Sequence, residues 1–186
     1  MLTLTRAKLH LRLATTEQEA TAYIDEDAII QGLINAAYHY AENYTQATLA
    51  TATKTLVLDG FPEGSDAIEL PWTPVTAIES LDYIDAEGVE QSLDAETLRL
   101  DTRPIYPLLA PQWGTEWPHT TDEPESVTIT ATAGAEETPP DVDVAVLLLV
   151  GHWYENRESV AIGTIATEIP MGVEMLLEPY RIHSVG

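Results

Sequence analysis

The chain of 186 residues contains no cysteine. That excludes a disulfide framework, a thiol nucleophile and any zinc site built on thiolates. Positive charge is nearly as scarce: 8 Lys+Arg stand against 31 Asp+Glu, a formal net charge of −23. Basic residues are what displace counterions from a phosphate backbone, so the charge argues against tight binding to nucleic acid and against adhesion to an anionic membrane surface. An acidic surface of this kind serves solubility or a salt-rich host as readily as a specific function. The most apolar stretch, Val144 to Val150, is far shorter than the about 20 residues a membrane span requires. Glycine-rich phosphate loops, a Gly-x-Ser-x-Gly elbow and a His-Glu-x-x-His pair are all missing. Arg6 and Lys8 are threaded through the first apolar residues rather than set ahead of them, which does not read as a secretory leader. The expectation is a protein made and kept in a cytoplasm.

What is present is organised around one apolar helix, predicted from Pro139 into Glu158. Proline opens it and Asp141 and Asp143 face the positive end of its dipole. Val142, Val146, Leu149 and Trp153 form one stripe at 100° per residue, while Val144, Leu147, Leu148 and Tyr154 cover the remainder. A helix apolar on all sides must be enclosed, by its own chain or by a neighbouring copy. Upstream, a short helix is predicted from an N-cap at Thr5 to about Leu13, with Arg6 and Lys8 on its more exposed sides. A polar stretch, Thr15 to Thr21, leads to a second helix that starts at Asp25-Glu26-Asp27. Its apolar residues Ile29, Ile30, Leu33, Ile34, Ala37, Tyr40, Ala41 and Tyr44 recur at three and four, which carries it to about Thr45.

After Thr48 the period shortens to two. Strands are predicted at Lys54–Asp59, Ala67–Leu70, Ala77–Ile84, Glu90–Leu93, Thr97–Asp101 and Ser126–Thr132, with a turn at Asp85–Gly88 and a stop at Gly134. Arg103 to Glu125 is proline-rich and reads as irregular. A last short helix is expected from Pro170 to near Pro179, with Val173, Leu176, Leu177 and Tyr180 at i, i+3, i+4 and i+7. The fold class is α+β: a small helical bundle of about four helices with an inserted antiparallel β region. Residues 1–50 supply the N-terminal helices, 51–138 the insertion, and 139–186 the long helix and the short closing one.

Chemistry-bearing groups are sparse. His152 and Glu155 could share a metal across one helical turn, but one histidine and one carboxylate make an incomplete site, and a structural role is the reading. Asp82, Asp85 and Glu87 before Gly88 have the wrong spacing for a calcium loop and read as a hairpin turn. A carboxylate pair of the glycosidase kind could lie among so many acids, though nothing selects one. Trp113 and Trp117 in the proline-rich segment could stack sugars, pin the loop to its own sheet, or contact another chain. Arg157 follows Trp153 by four and can lay its guanidinium on that indole, close to the negative end of the helix. No cofactor or metal is called for, and no catalytic residue.

Several segments, in this order, carry a resemblance. They are Ala7-Lys8-Leu9-His10-Leu11-Arg12-Leu13; Asp27-Ala28-Ile29-Ile30-Gln31-Gly32-Leu33-Ile34 with Ala41-Glu42-Asn43-Tyr44-Thr45; and Leu70-Pro71, Pro74-Val75 and Tyr83-x-Asp85-x-x-Gly88. They continue with His152-Trp153-Tyr154-Glu155-Asn156-Arg157-Glu158, then Pro170-x-Gly172-Val173 with Leu176-Leu177-x-Pro179-Tyr180-Arg181. In these the chain resembles the head-to-tail connector (neck adaptor) proteins of tailed double-stranded DNA bacteriophages. One departure is Gln46-Ala47, where relatives often place a small residue and an arginine. The resemblance implies a non-enzymatic virion protein of the neck: a ring of typically twelve copies beneath the portal. The ring would extend the DNA channel, let DNA pass without specific binding, touch no membrane and dock the next neck or tail protein. It places candidate protein contacts at Trp153, Tyr154, Arg157, Leu176, Leu177, Tyr180 and Arg181, and at Trp113 and Trp117. A carbohydrate-binding module using those two tryptophans, or a carboxylate-based hydrolase, is the alternative.

Overall fold

The computed structural model describes residues 2–121, 123–156 and 169–183. Among them lie five α-helices and seven β-strands, a helical bundle and antiparallel sheets in one α+β chain. The chain divides into two compact units, Met1–Leu49 with Glu137–Gly186, and Ala50–Glu136.

The helical unit contains α1 (Leu4–His10), α2 (Glu17–Ala22), α3 (Asp27–Thr45), α4 (Pro140–Glu155) and α5 (Met171–Leu177), the last running into a 3-10 turn at Glu178–Tyr180. On α4, Val142, Ala145, Val146, Leu149 and Val150 have no accessible surface. Ala7 of α1, Ile30, Ile34, Ala37 and Ala41 of α3, and Val173 and Leu177 of α5 share that core. Burying each aliphatic side chain is worth about 1.5–3 kcal/mol. The chain itself therefore encloses most of the apolar helix, and Val144 at 40% exposure is what remains of its open side.

Two sequence expectations fail at the N-terminus. The first helix is capped by Thr3, whose hydroxyl accepts from the Arg6 amide, and it ends at His10. Lys8 is not on an exposed side: it is 2% exposed. Its Nζ donates to the carbonyls of Ala20 (2.8 Å) and Tyr23 and pairs with the Asp27 carboxylate at 2.5 Å. The polar stretch after Thr15 holds α2, capped by Thr16. Glu19 reaches back to the Thr15 hydroxyl and amide, bonds that hold its carboxyl below the usual range. The buried ammonium thus closes the C-terminal carbonyls of α2 and the N-terminus of α3 together.

The β unit has a four-stranded antiparallel sheet ordered β1 (Ala52–Leu58), β7 (Val127–Ala133), β3 (Val75–Ile84), β4 (Glu90–Leu93). A three-stranded one runs β2 (Ile68–Glu69), β6 (Leu108–Pro111), β5 (Leu98–Asp101). The central β7 alternates strictly: Val127, Ile129, Ala131 and Ala133 are fully buried and the threonines between them are half-buried. Strand β6 lies inside the segment read as irregular. Pro107 precedes it, Pro111 ends it and it is too short to show a period, but its Leu108 and Leu109 pair with both β2 and β5. Gly134 ends β7 at φ +101, and a Cβ there would stand 2.2 Å from the Ala50 carbonyl oxygen, so no side chain fits.

Candidate protein-interaction surfaces

The Asp85 turn is built by its own carboxylate, which accepts from the Val89 amide (2.8 Å), the Gln91 side chain (2.9 Å) and the Glu87 amide (3.1 Å). These bonds hold it below the usual range, the Val89 bond foremost. With Gly88 at φ +79 the result is a tight hairpin whose acid is spent on its own backbone.

The tryptophan pair separates. Trp117 is 7% exposed, stacks on Phe61 with ring centroids 4.7 Å apart and donates its indole N–H to the Asp66 carbonyl. It pins the loop to the core. Trp113 is 85% exposed and carries the Arg99 guanidinium 4.1 Å from its ring. Two rings so placed form no stacking platform, which removes the basis for the sugar-binding alternative. The hydrolase alternative also finds no support. Among the described residues the carboxyls with resolved shifts, Glu19, Asp85 and Asp101, are all displaced downward by local hydrogen bonds, whereas a general acid needs an upward shift.

In the helical unit Trp153, Tyr154, Leu176 and Tyr180 are half-buried against the core. The Tyr154 hydroxyl donates to the Glu26 carboxylate, which also accepts from Tyr23. Leu177 is fully buried. Arg181 places its guanidinium 5.1 Å from the Tyr44 ring and 3.8 Å from the Glu178 carboxylate, which accepts the Tyr44 hydroxyl at 2.6 Å. Arg157, with its proposed stacking on Trp153, lies outside the described residues. Trp117 and Leu177 offer no surface to another chain here. The sequence reading missed Met171 and Met175, 79% and 74% exposed on the face of α5 opposite Val173 and Leu177. Their i,i+4 spacing was the available signal.

A polar network also went unread. The Tyr38 hydroxyl donates to Asp143 (2.8 Å) and accepts from the Leu2 amide (2.6 Å), and Arg6 pairs with the second Asp143 oxygen at 3.0 Å. Burial first, then the neighbouring carboxylate, pushes the Tyr38 hydroxyl up to about 12. His152 lies inside the unit with its Nε2 buried and unpartnered among the described residues, while Glu155 on the same helix is exposed. The described residues hold no group of three or more side chains arranged for a metal, and none of their helices is long and apolar enough to cross a membrane.

The chain is thus a small helical bundle with an antiparallel β insertion, and it leaves aromatic, methionine and arginine side chains exposed to solvent. The chain belongs to the head completion protein family, whose family model matches residues 1–183. It is similar to a chain in the neck of an empty gene transfer agent (GTA) particle computed with C6 symmetry. That match has 29% identity over 99% of this chain and 91% of the other, with a TM-score of 0.75. It is similar at 30% identity and the same coverage and TM-score to a chain of the virion of a native GTA particle. A third likeness is to a chain in the neck of a native GTA particle computed with C12 symmetry, at 30% identity over 86% of this chain and 85% of the other, TM-score 0.68. No curated protein sequence matches the chain. The protein is a structural head-to-tail connector of the phage type, and its place is the virion neck.

Proposed function

We propose that twelve copies of this chain close into a ring beneath the portal, extend the DNA channel and present a platform for the next neck or tail protein, with no catalysis of their own. The likeness over nearly the whole chain to neck proteins of particles computed with six- and twelvefold symmetry carries this reading. The charge agrees with it. Each copy brings −23, so any share that lines the channel repels phosphate and lets DNA slide. In this reading the face of α5 that carries Met171 and Met175, with Tyr180 and Arg181 beside it, meets the portal or the adjacent copy. Trp153 and Tyr154 contribute at the end of α4, Arg157 stays a contact candidate on its sequence alone, and the Trp113 loop faces a neighbour or the tail side.

Co-sedimentation of purified chain with portal rings tests it. Binding at about micromolar concentration is expected, with loss of binding when Met171 and Met175 are both changed to Glu. No association of the unaltered chain counts against the reading.

A further inference from the structure

The outer face of the three-stranded sheet presents an exposed indole, Trp113, over a cation, Arg99. Strand pairing puts Arg99 opposite Ala110, and Asp101 opposite Leu108, so these four share the face turned away from Leu98, Leu100 and Leu109. Glu69, opposite Leu108 in the other pairing, stands at its far edge. Arg103 closes on Asp101 through Nε (2.8 Å) and Nη2 (2.5 Å), which neutralises that acid. Among the described residues Arg99 makes no such bidentate pair, and Asp101 is its nearby carboxylate. Arg99 lies over Trp113, and its Nη1 is buried without a hydrogen-bond partner among the described residues. Ala67, Arg99, Ala110 and Trp113 line an open concavity of about 480 Å³. Tryptophan and arginine are the residues on which binding energy concentrates at interfaces. Here they are set together in a unit whose only other cations are Lys54 and Arg103.

A complementary feature lies on the same unit. The β3–β4 hairpin ends in Ala86-Glu87-Gly88-Val89-Glu90, all exposed, with Val89 at 53%. The Asp85 carboxylate holds this turn rigid from within, and Glu87 and Glu90 are left to project. The tip is an apolar knob flanked by two carboxylates. The Trp113 face is an apolar plate backed by the Arg99 guanidinium, a positive charge.

We propose that the hairpin tip of one copy docks on the Trp113–Arg99 face of the next, with Val89 against the indole and a carboxylate of Glu87 or Glu90 on Arg99. This rests on the ring reading above. The contact joins two different patches, as a head-to-tail ring requires. It also answers a problem of charge. Copies at −23 repel one another, and salt screens that repulsion over about 8 Å at physiological strength while a contact pair persists. Association peaks at intermediate ionic strength.

The absence of cysteine makes a direct test clean. Two single-cysteine chains, Ala86→Cys at the tip and Ala67→Cys beside Trp113, are mixed under mild oxidation. A control mixture pairs Ala67→Cys with Thr53→Cys. The tip mixture is expected to give about tenfold more linked dimer than the control, and Trp113→Ala in the Ala67→Cys chain to remove the excess. Arg99→Glu in that chain removes it too, and Glu87→Arg with Glu90→Arg in the tip chain restores it, with folding of each variant checked by circular dichroism. Yields equal to the control, or indifferent to Trp113→Ala, or not recovered by the charge exchange, overturn the proposal and give the face to another partner. Portal co-sedimentation of the unaltered chain is read separately. If it persists while the cross-link fails, this contact falls and the ring reading stands.

Discussion

The two units of the chain solve the same problem, a small core, in opposite ways. The helical unit buries its polar groups as well as its apolar ones. Lys8 satisfies the end of α2 and the start of α3, and Asp143 gathers Tyr38, Arg6 and, through Tyr38, the Leu2 amide. The β unit keeps its charges outside and relies on alternation along β7 and on turns with special backbone, at Gly88 and Gly134. A bundle of short helices leaves many unpaired helix-end groups near its core, and buried charge is one means of satisfying them. A sheet pairs its backbone along the ladder and leaves that need at the turns.

The sharpest way to break this contrast is at Gly134. Gly134→Val sets a side chain against the Ala50 backbone at positive φ, and a loss of about 4 kcal/mol in urea unfolding is expected. Next come two neighbours on α5. Leu177→Ala, fully buried, is expected to cost about 3 kcal/mol, whereas Met175→Ala, 74% exposed, stays within about 0.5 kcal/mol. Equal effects would dissolve the distinction between the buried and exposed faces of that helix. Lys8→Met keeps the apolar stem and removes the charge; about 2 kcal/mol is expected, read as a shift in thermal midpoint at unchanged m-value in parallel urea melts.

The smallest effect is expected at Tyr38. Tyr38→Phe frees Asp143 and the Leu2 amide, at a cost of about 1 kcal/mol near neutral pH. The folded hydroxyl titrates at about 12 against 10 for a free tyrosine, so the unfolded chain releases its proton first. The stability from keeping this proton is full below pH 10 and is lost as pH rises towards 12. Urea midpoints between pH 9 and 12 should fall more steeply for the unaltered chain than for Tyr38→Phe.

Where a period was long enough to count, the sequence was legible. The helix to Thr45 and the start of the apolar helix at Pro139 were read to within two residues, although the apolar helix ends at Glu155, capped at Asn156, rather than in Glu158, and the Asp85 turn was read from its own turn residues. Helix α2 was legible but unread, because Thr16 and Glu19 form a capping pair at the expected spacing. Strand β6 was not, because three residues between Pro107 and Pro111 carry no period. Among the proposed contact residues, sequence could not separate Trp113 from Trp117. They sit in the same loop with the same chemistry, and what parts them is that Phe61 lies under one and not the other.

Composition, charge and periodicity by themselves determined an acidic, cysteine-free α+β chain, because excluded chemistries and repeated side-chain spacing are local properties, and the connector reading came from the resemblance carried by its ordered segments. Which lysine goes inside, which tryptophan stays out and which face of α5 stays exposed were decided by the tertiary structure. Burial depends on what distant segments bring against a residue, and no local spacing encodes that.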